Sequence, residues 1–156
     1  VKRESRLTAT YDWEYSSQSK PKDSDYWCVR IGDWSCPWNR QLAKEKESKH
    51  LSWIEQSQTI HEIGSTFTVQ GFDLNYVGVI IGPSVKYREG KIIFDISESK
   101  NKSAVQNRKL ESGEMINYGE TLLRNELNVL LTRGVNGLYV YAVDEELQQA
   151  LKNATK

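Results

Sequence analysis

The segment Tyr76-Val77-Gly78-Val79-Ile80-Ile81, closed by Gly82-Pro83, constrains the fold more than any other part of the chain. It is rich in β-branched residues, which favour an extended backbone. Its apolar character is continuous rather than alternating, as in a strand covered on both faces inside a parallel sheet. The run is far short of the roughly 20 residues a membrane-spanning helix needs. A chain of 156 residues with 38% hydrophobic and 27% charged residues can bury such a strand in one soluble domain.

The neighbouring segments are read against that strand. Leu7, Ala9, Tyr11, Trp13 and Tyr15 alternate with Thr8, Thr10, Asp12 and Glu14, which predicts a strand with one buried face. Residues 16–25 are polar and predict an exposed loop, after which Tyr26–Ile31 returns as the second strand of an antiparallel, aromatic-rich ribbon. All five tryptophans (13, 27, 34, 38 and 53) fall in this first third. Burial is the favoured role for rings of that size. The Lys- and Glu-rich stretch Gln41–His50 predicts a solvated helix or loop, Thr59–Gly64 and Lys91–Asp95 predict short strands, and 97–112 an exposed loop. Gly113–Arg133 predicts a helix whose Ile116, Leu123, Leu127 and Leu130 share one face, with Gly134 as its left-handed stop. Leu138–Val143 predicts a buried strand and Glu145–Lys152 a closing amphipathic helix. The order of strands and helices predicts an α/β fold with a central, mostly parallel sheet and helices on both faces.

Charge and motif content narrow the chemistry. Lys plus Arg and Asp plus Glu number 21 each, so no basic excess steers the chain to nucleic acid. Local basic groups do occur, at Lys86 and Arg88 and at Lys100, Lys102, Arg108 and Lys109. Cys28, Cys36, His50 and His61 have no metal-ligand spacing, so no metal site is expected, and the two thiols read as reduced cytoplasmic residues. There is no Gly-x-Ser-x-Gly nucleophile turn and no Gly-x-x-x-x-Gly-Lys-Ser/Thr phosphate loop. The chain opens at Val1 with neither methionine nor leader, which reads as a piece of a longer protein.

Two segments carry a resemblance. Ser65–Ile81, with Gln70, Gly71, Phe72 and Asp73 before the apolar strand, resembles helicase motif V. Asn128–Tyr141, with Leu131-Thr132-Arg133 before Gly137-Leu138-Tyr139-Val140, resembles motif VI. The two lie in the family's order and at its separation. The chain is similar to the C-terminal RecA-like lobe of superfamily 1 helicase-type P-loop NTPases. It most resembles a bacterial family of ATP/GTP-binding proteins with a Schlafen-like DNA/RNA helicase domain, in which Tyr76–Pro83 and Leu130–Gly134 recur nearly as written. The resemblance spans most of the chain and implies that 1–156 is one lobe.

That resemblance implies an arginine finger at Arg133, since a planar, permanently charged guanidinium can stabilise a transferring phosphoryl group. It also implies nucleotide contacts at Gln70, Gly71, Asp73 and Thr132, and ATP with Mg2+ held mainly by an N-terminal partner lobe of the same protein. DNA or RNA would cross the top of the lobe, near Ser65, Lys100, Lys102 and Arg108. The sequence departs from the motif twice, with Asp73 in place of the usual Glu and Phe67 where many relatives have His. Those departures support an alternative, a regulatory or nucleic-acid-binding module without ATPase coupling. A third reading is a stand-alone base-stacking platform on Trp13, Trp27 and Trp38.

Overall fold

Strand β4 (Leu74–Ile81) lies at the centre of a three-stranded parallel sheet, between β1 (Ser5–Ala9) and β9 (Gly134–Ala142). The computed structural model describes residues 4–43, 46–48 and 50–155, so Lys44, Glu45 and Lys49 of the Gln41–His50 stretch lie outside the described residues. The fold is mixed α/β, with this sheet and three antiparallel hairpins.

One face of the sheet carries the larger core. Leu74, Val77, Val79 and Ile81 of β4 pack with Leu123, Leu127 and Leu130 of α3 (Gly119–Leu131) and with Leu147 of α4 (Glu145–Ala154). The opposite face was expected to bear helices as well. Among the described residues it bears instead an aromatic cluster, in which Ile80 and Ala9 pack with Val29, Trp38 and Ile63, and Tyr11, Trp13, Tyr15 and Trp27 close around them. Trp38 is fully buried, 4.8 Å from the ring of Tyr11, and its indole N–H donates to the Glu14 carbonyl. That burial removes Trp38 as an open stacking platform. Trp13 and Trp27 are half-buried, with indole N–H groups donated to the carbonyls of Arg30 and Ser19. Further along the same face Leu7, Tyr76 and Tyr139 remain exposed. β9 is accordingly an edge strand with exposed Val135, Leu138, Tyr139 and Tyr141, rather than a buried one.

The alternation from Leu7 to Tyr15 misleads in an instructive way. β1 ends at Ala9, and alongside the buried Ala9 the polar residues Thr8, Thr10 and Asp12 are buried too. The Thr10 hydroxyl accepts from Gly82 N–H at 2.8 Å and donates to Asp12 Oδ2 at 3.0 Å, and the same Asp12 oxygen accepts from Ser84 N–H at 3.0 Å. These side chains tie the end of β1 to the turn that leaves β4, satisfying backbone groups that burial would otherwise strand. A Cβ at Gly82 would collide with Asp12, so the turn needs glycine for space.

The ribbon forms elsewhere than expected. β2 (Cys28–Ile31) pairs with β3 (Trp34–Pro37) across a tight turn at Gly32, whose φ is +55°, and not with Leu7–Tyr15. Where Thr59–Gly64 was expected to be a strand, Ser57–His61 is a 3-10 helix, and only Ile63 and Gly64 form β-bridges. They bridge Trp38 on one side and Thr8 on the other, continuing the sheet past β1.

β5 (Val85–Arg88) and β6 (Lys91–Phe94) form a hairpin turned at Glu89 and Gly90, both at positive φ. A two-pronged contact from Arg88 to Asp144, at 2.9 and 2.8 Å, ties this hairpin to α4. Asp144 also caps that helix by accepting from Leu147 N–H, and hydrogen bonding from Arg88 lowers its carboxyl to about 2.

Within 97–112, Ser99 and Ala104 are buried, and α2 (Lys102–Val105) and β7 (Arg108–Lys109) form, the latter pairing with β8 (Met115–Ile116). The hairpin, turned at Gly113, takes the residues expected to begin the long helix, so α3 starts at Gly119. Its end is capped by Thr132, and Gly134 already belongs to β9 without a left-handed φ. Glycine is needed there because a Cβ would meet the Gly137 carbonyl and Val77. No described helix is long and apolar enough to cross a membrane.

Trp38→Ala should cost about 3–5 kcal/mol, the range for truncating a fully buried large aromatic. Trp34→Ala, at an exposed ring, should change stability by less than about 0.5 kcal/mol. Urea unfolding of both variants checks the contrast.

Candidate functional site

Two chain reversals meet at the N-terminal ends of β4 and β9. In the first, α1 (Thr66–Val69) ends at Gln70, the backbone turns at Gly71 with φ +83°, and Phe72 and Asp73 lead into β4. The αL conformation explains glycine at 71, and the space where a Cβ would sit is open. In the second, α3 runs through Thr132 and Arg133 into β9. Parallel pairing of Leu74 with Gly134 sets the two side by side, and Leu74 N–H donates to the Arg133 carbonyl at 2.7 Å.

The Arg133 side chain lies across this junction. Its Nε donates to the Val129 carbonyl at 3.0 Å and Nη1 to the Phe72 carbonyl at 3.4 Å, while Nη1 stands 3.7 Å from Asp73 Oδ1. The pair is lopsided, with the arginine side chain 22% exposed and the aspartate 69%. An ion pair so open to water is worth at most about 1 kcal/mol, so the guanidinium can exchange its partner at little cost. Thr132 turns its hydroxyl back onto the helix, donating to the Asn128 carbonyl at 2.8 Å. Gln70, Gly71, Asp73, Thr132 and Arg133 thus share one edge, though Thr132 spends its hydroxyl within the helix.

Beside that edge lies a groove between α1, α2 and α3. Phe67 projects into it with 56% of its surface exposed, its ring at 80° to that of Tyr11 with centres 5.6 Å apart. The groove includes a cavity of about 350 Å³ bounded by Phe67, Gln70, Asn101, Arg108, Asn125 and Glu126. A second of about 270 Å³, bounded by Tyr11, Tyr15, Phe67, Lys100 and Lys102, shares Phe67, Asn101 and Ser103 with the first. Lys100 also stands 3.7 Å from Glu14, and Arg108 donates to the Ser103 carbonyl at 3.2 Å. The structure therefore gathers Lys100, Lys102 and Arg108 around one groove. Ser65 is not part of it. That side chain is fully buried, its hydroxyl donating to Asn39 Oδ1 at 2.8 Å, so the exposed side chain on this turn is Phe67.

Glu126 is the residue that pattern reading missed. It is buried at the floor of the larger cavity, accepting from Tyr11 N–H at 2.8 Å and from the Thr66 hydroxyl at 3.2 Å. Burial pushes its carboxyl up to about 7 and the nearby Asp12 adds to the rise, while the Tyr11 N–H opposes it. Asp12 is itself raised by burial. The available signal was an acid on the apolar stripe of α3, spaced with Leu123, Leu127 and Leu130.

Comparison with known proteins adds three findings. The profile of the Schlafen group 3 DNA/RNA helicase domain matches residues 1–144. Over 153 residues the chain is 38% identical to the uncharacterized protein YPL245W of Saccharomyces cerevisiae, covering 97% of this chain and 32% of that protein. The chain therefore spans about a third of the length of that curated relative. No solved structure matches the chain significantly.

The buried Glu126 carboxyl makes the lobe's stability depend on pH. Below its ordinary value of 4.5 it is protonated whether the chain is folded or not. Between 4.5 and about 7 the unfolded chain gives up the proton first, so stability falls as pH rises through that window, and the loss is complete above it. Glu126→Gln, which keeps a carbonyl acceptor for Tyr11 and Thr66, should stabilise the lobe at pH 8 by roughly 1–3 kcal/mol and have little effect at pH 4. Urea midpoints at both pH values test this, and equal shifts at both would contradict it.

Proposed function

We propose a role that starts from family membership: the chain belongs to the Schlafen group 3 DNA/RNA helicase domain family, and it acts as the second, RecA-like lobe of a nucleic-acid-dependent NTPase. The observation that carries this reading is the parallel pairing of Leu74 with Gly134, which brings Arg133 alongside the turn from Gln70 to Asp73. The chain has no phosphate loop of its own, so ATP with Mg2+ would be held mainly by another lobe of the longer protein.

The residues at the edge fit a bound triphosphate. Bound ATP supplies a phosphoryl group whose transfer spreads negative charge over its oxygens. Arg133 faces this charge by exchanging Asp73 for a phosphate oxygen, while its Nε stays anchored to the end of α3. Open space beside Gly71 admits a close approach of the backbone. Gln70 faces the neighbouring groove from the same turn, so nucleotide and nucleic acid would be sensed by adjacent residues of one short segment. The polymer, DNA or RNA, would follow the groove rimmed by Lys100, Lys102 and Arg108.

In the full-length protein, Arg133→Ala should lower nucleic-acid-stimulated ATP turnover by on the order of a thousandfold. The far-UV circular dichroism should be preserved, because the side chain lies at the end of α3 and outside the hydrophobic core. Unchanged turnover would favour the alternative, a regulatory or nucleic-acid-binding module that keeps the fold without ATPase coupling.

A further inference from the structure

We propose that Phe67 is a wedge that separates two consecutive bases of a bound single strand, one in each of the cavities flanking its ring. The inference rests on the reading of the groove as the path of the polymer, and it names how the strand would be held there. Three observations carry it.

The first is the exposure of the ring. A phenylalanine 56% open to solvent at the head of a four-residue helix contributes little to the core. It is nevertheless held in place, because it packs nearly perpendicular to the ring of Tyr11, which packs on the buried Trp38. A supported, exposed aromatic ring offers its face to a flat partner, and every base has a face to stack, whatever the sequence.

The second is the pair of spaces. The cavities of about 350 and 270 Å³ are both lined by Phe67, Asn101 and Ser103, and Phe67 is the one ring they share. Each lies near the lower end of small-ligand sites, roughly 300 Å³, which is room for a base and its sugar but not for a folded ligand. The larger is lined by the amide side chains of Gln70 and Asn125 and by apolar Leu122 and Val129, with the buried Glu126 at its floor. Amides both donate and accept, so they can meet the edge of any base without selecting one. The smaller cavity presents Tyr11 and Tyr15.

The third is charge. The groove is cationic at its rim on both sides of the ring, with Arg108 beside the larger cavity and Lys100 and Lys102 beside the smaller. Its acids are Glu14, which stands by Lys100, and Glu126, which is buried with Tyr11 and Thr66 as partners. Cations on either side of an aromatic ring suit a strand whose phosphates pass along the rim while its bases turn inward. Phe67 sits three residues before Gln70, so a base moving past the wedge would press on the turn that faces Arg133.

The test uses the full-length protein and a single-stranded oligonucleotide of one sequence, made as DNA and as RNA, with and without adjacent abasic positions. Phe67→Ala should weaken binding of the intact strand by about 5- to 100-fold, and Phe67→Tyr should restore most of it. Abasic positions placed over the wedge should weaken binding to the wild type by a similar factor and hardly affect Phe67→Ala. The triple variant Lys100→Ala, Lys102→Ala, Arg108→Ala should bind intact and abasic strands more weakly by one factor and flatten the salt dependence. If Phe67→Ala binds both polymers like the wild type while the triple variant is impaired, the wedge is overturned and the groove stands. If the triple variant also binds like the wild type, the polymer does not run here, and the underlying reading of the groove falls as well.

Discussion

The junction between β4 and β9 is the constraint on which the rest depends. A parallel pair can close only through a crossover, and here the crossover includes the β5–β6 hairpin, α2 and α3. Its return fixes Gly134 opposite Leu74, and the Leu74 N–H to Arg133 carbonyl bond holds that register. Sliding β9 by one residue would turn its inward side chains to the other face and carry Arg133 away from Asp73. Glycine at 134 belongs to the same constraint, since a side chain there would push against Gly137 and Val77. Placement of the functional edge is thus a consequence of how the core strand is paired.

A second set of interactions links that core to the groove. Tyr11 occupies the crossing point. Its ring packs on Trp38 and supports Phe67, its N–H holds Glu126, and its carbonyl accepts from Lys100 N–H at 2.8 Å. Two buried acids lie beside it, Asp12 as its neighbour in sequence and Glu126 across the fold, both raised by desolvation. Buried carboxyls usually lower stability compared with apolar replacements, and these persist where they satisfy backbone N–H groups of Ser84 and Tyr11.

Legibility in the sequence followed physical locality. The central strand, the hairpin strand at Lys91–Phe94 and the long helix could be read from runs and periods, because burial imposes those patterns directly. The edge at Gln70, Gly71, Asp73 and Arg133 was legible through its resemblance to helicase motifs, with composition saying nothing about it. The Leu7–Tyr15 alternation failed because Thr10 and Asp12 serve the turn after β4, a partner 72 residues away. The pairing of Cys28–Ile31 was misassigned because Gly32-Asp33, the two residues that close the hairpin, lie in a stretch without strong apolar alternation. Resemblance put Ser65 near the nucleic acid, yet its hydroxyl is buried in a bond to Asn39 across 26 positions, a contact only the tertiary fold makes. Glu126 was hidden because an acid on a helix is ordinarily solvated, and only the tertiary fold buries this one.

In the proposed role Arg133 leaves Asp73 for a phosphate presented by another lobe. The decisive measurement is a crystal structure of the full-length protein with Mg2+, a non-hydrolysable ATP analogue and a single-stranded oligonucleotide. A guanidinium nitrogen of Arg133 should lie within about 3 Å of a γ-phosphate oxygen, with the Asp73 contact broken. An Arg133 that stays beside Asp73 while the nucleotide lies elsewhere would contradict it.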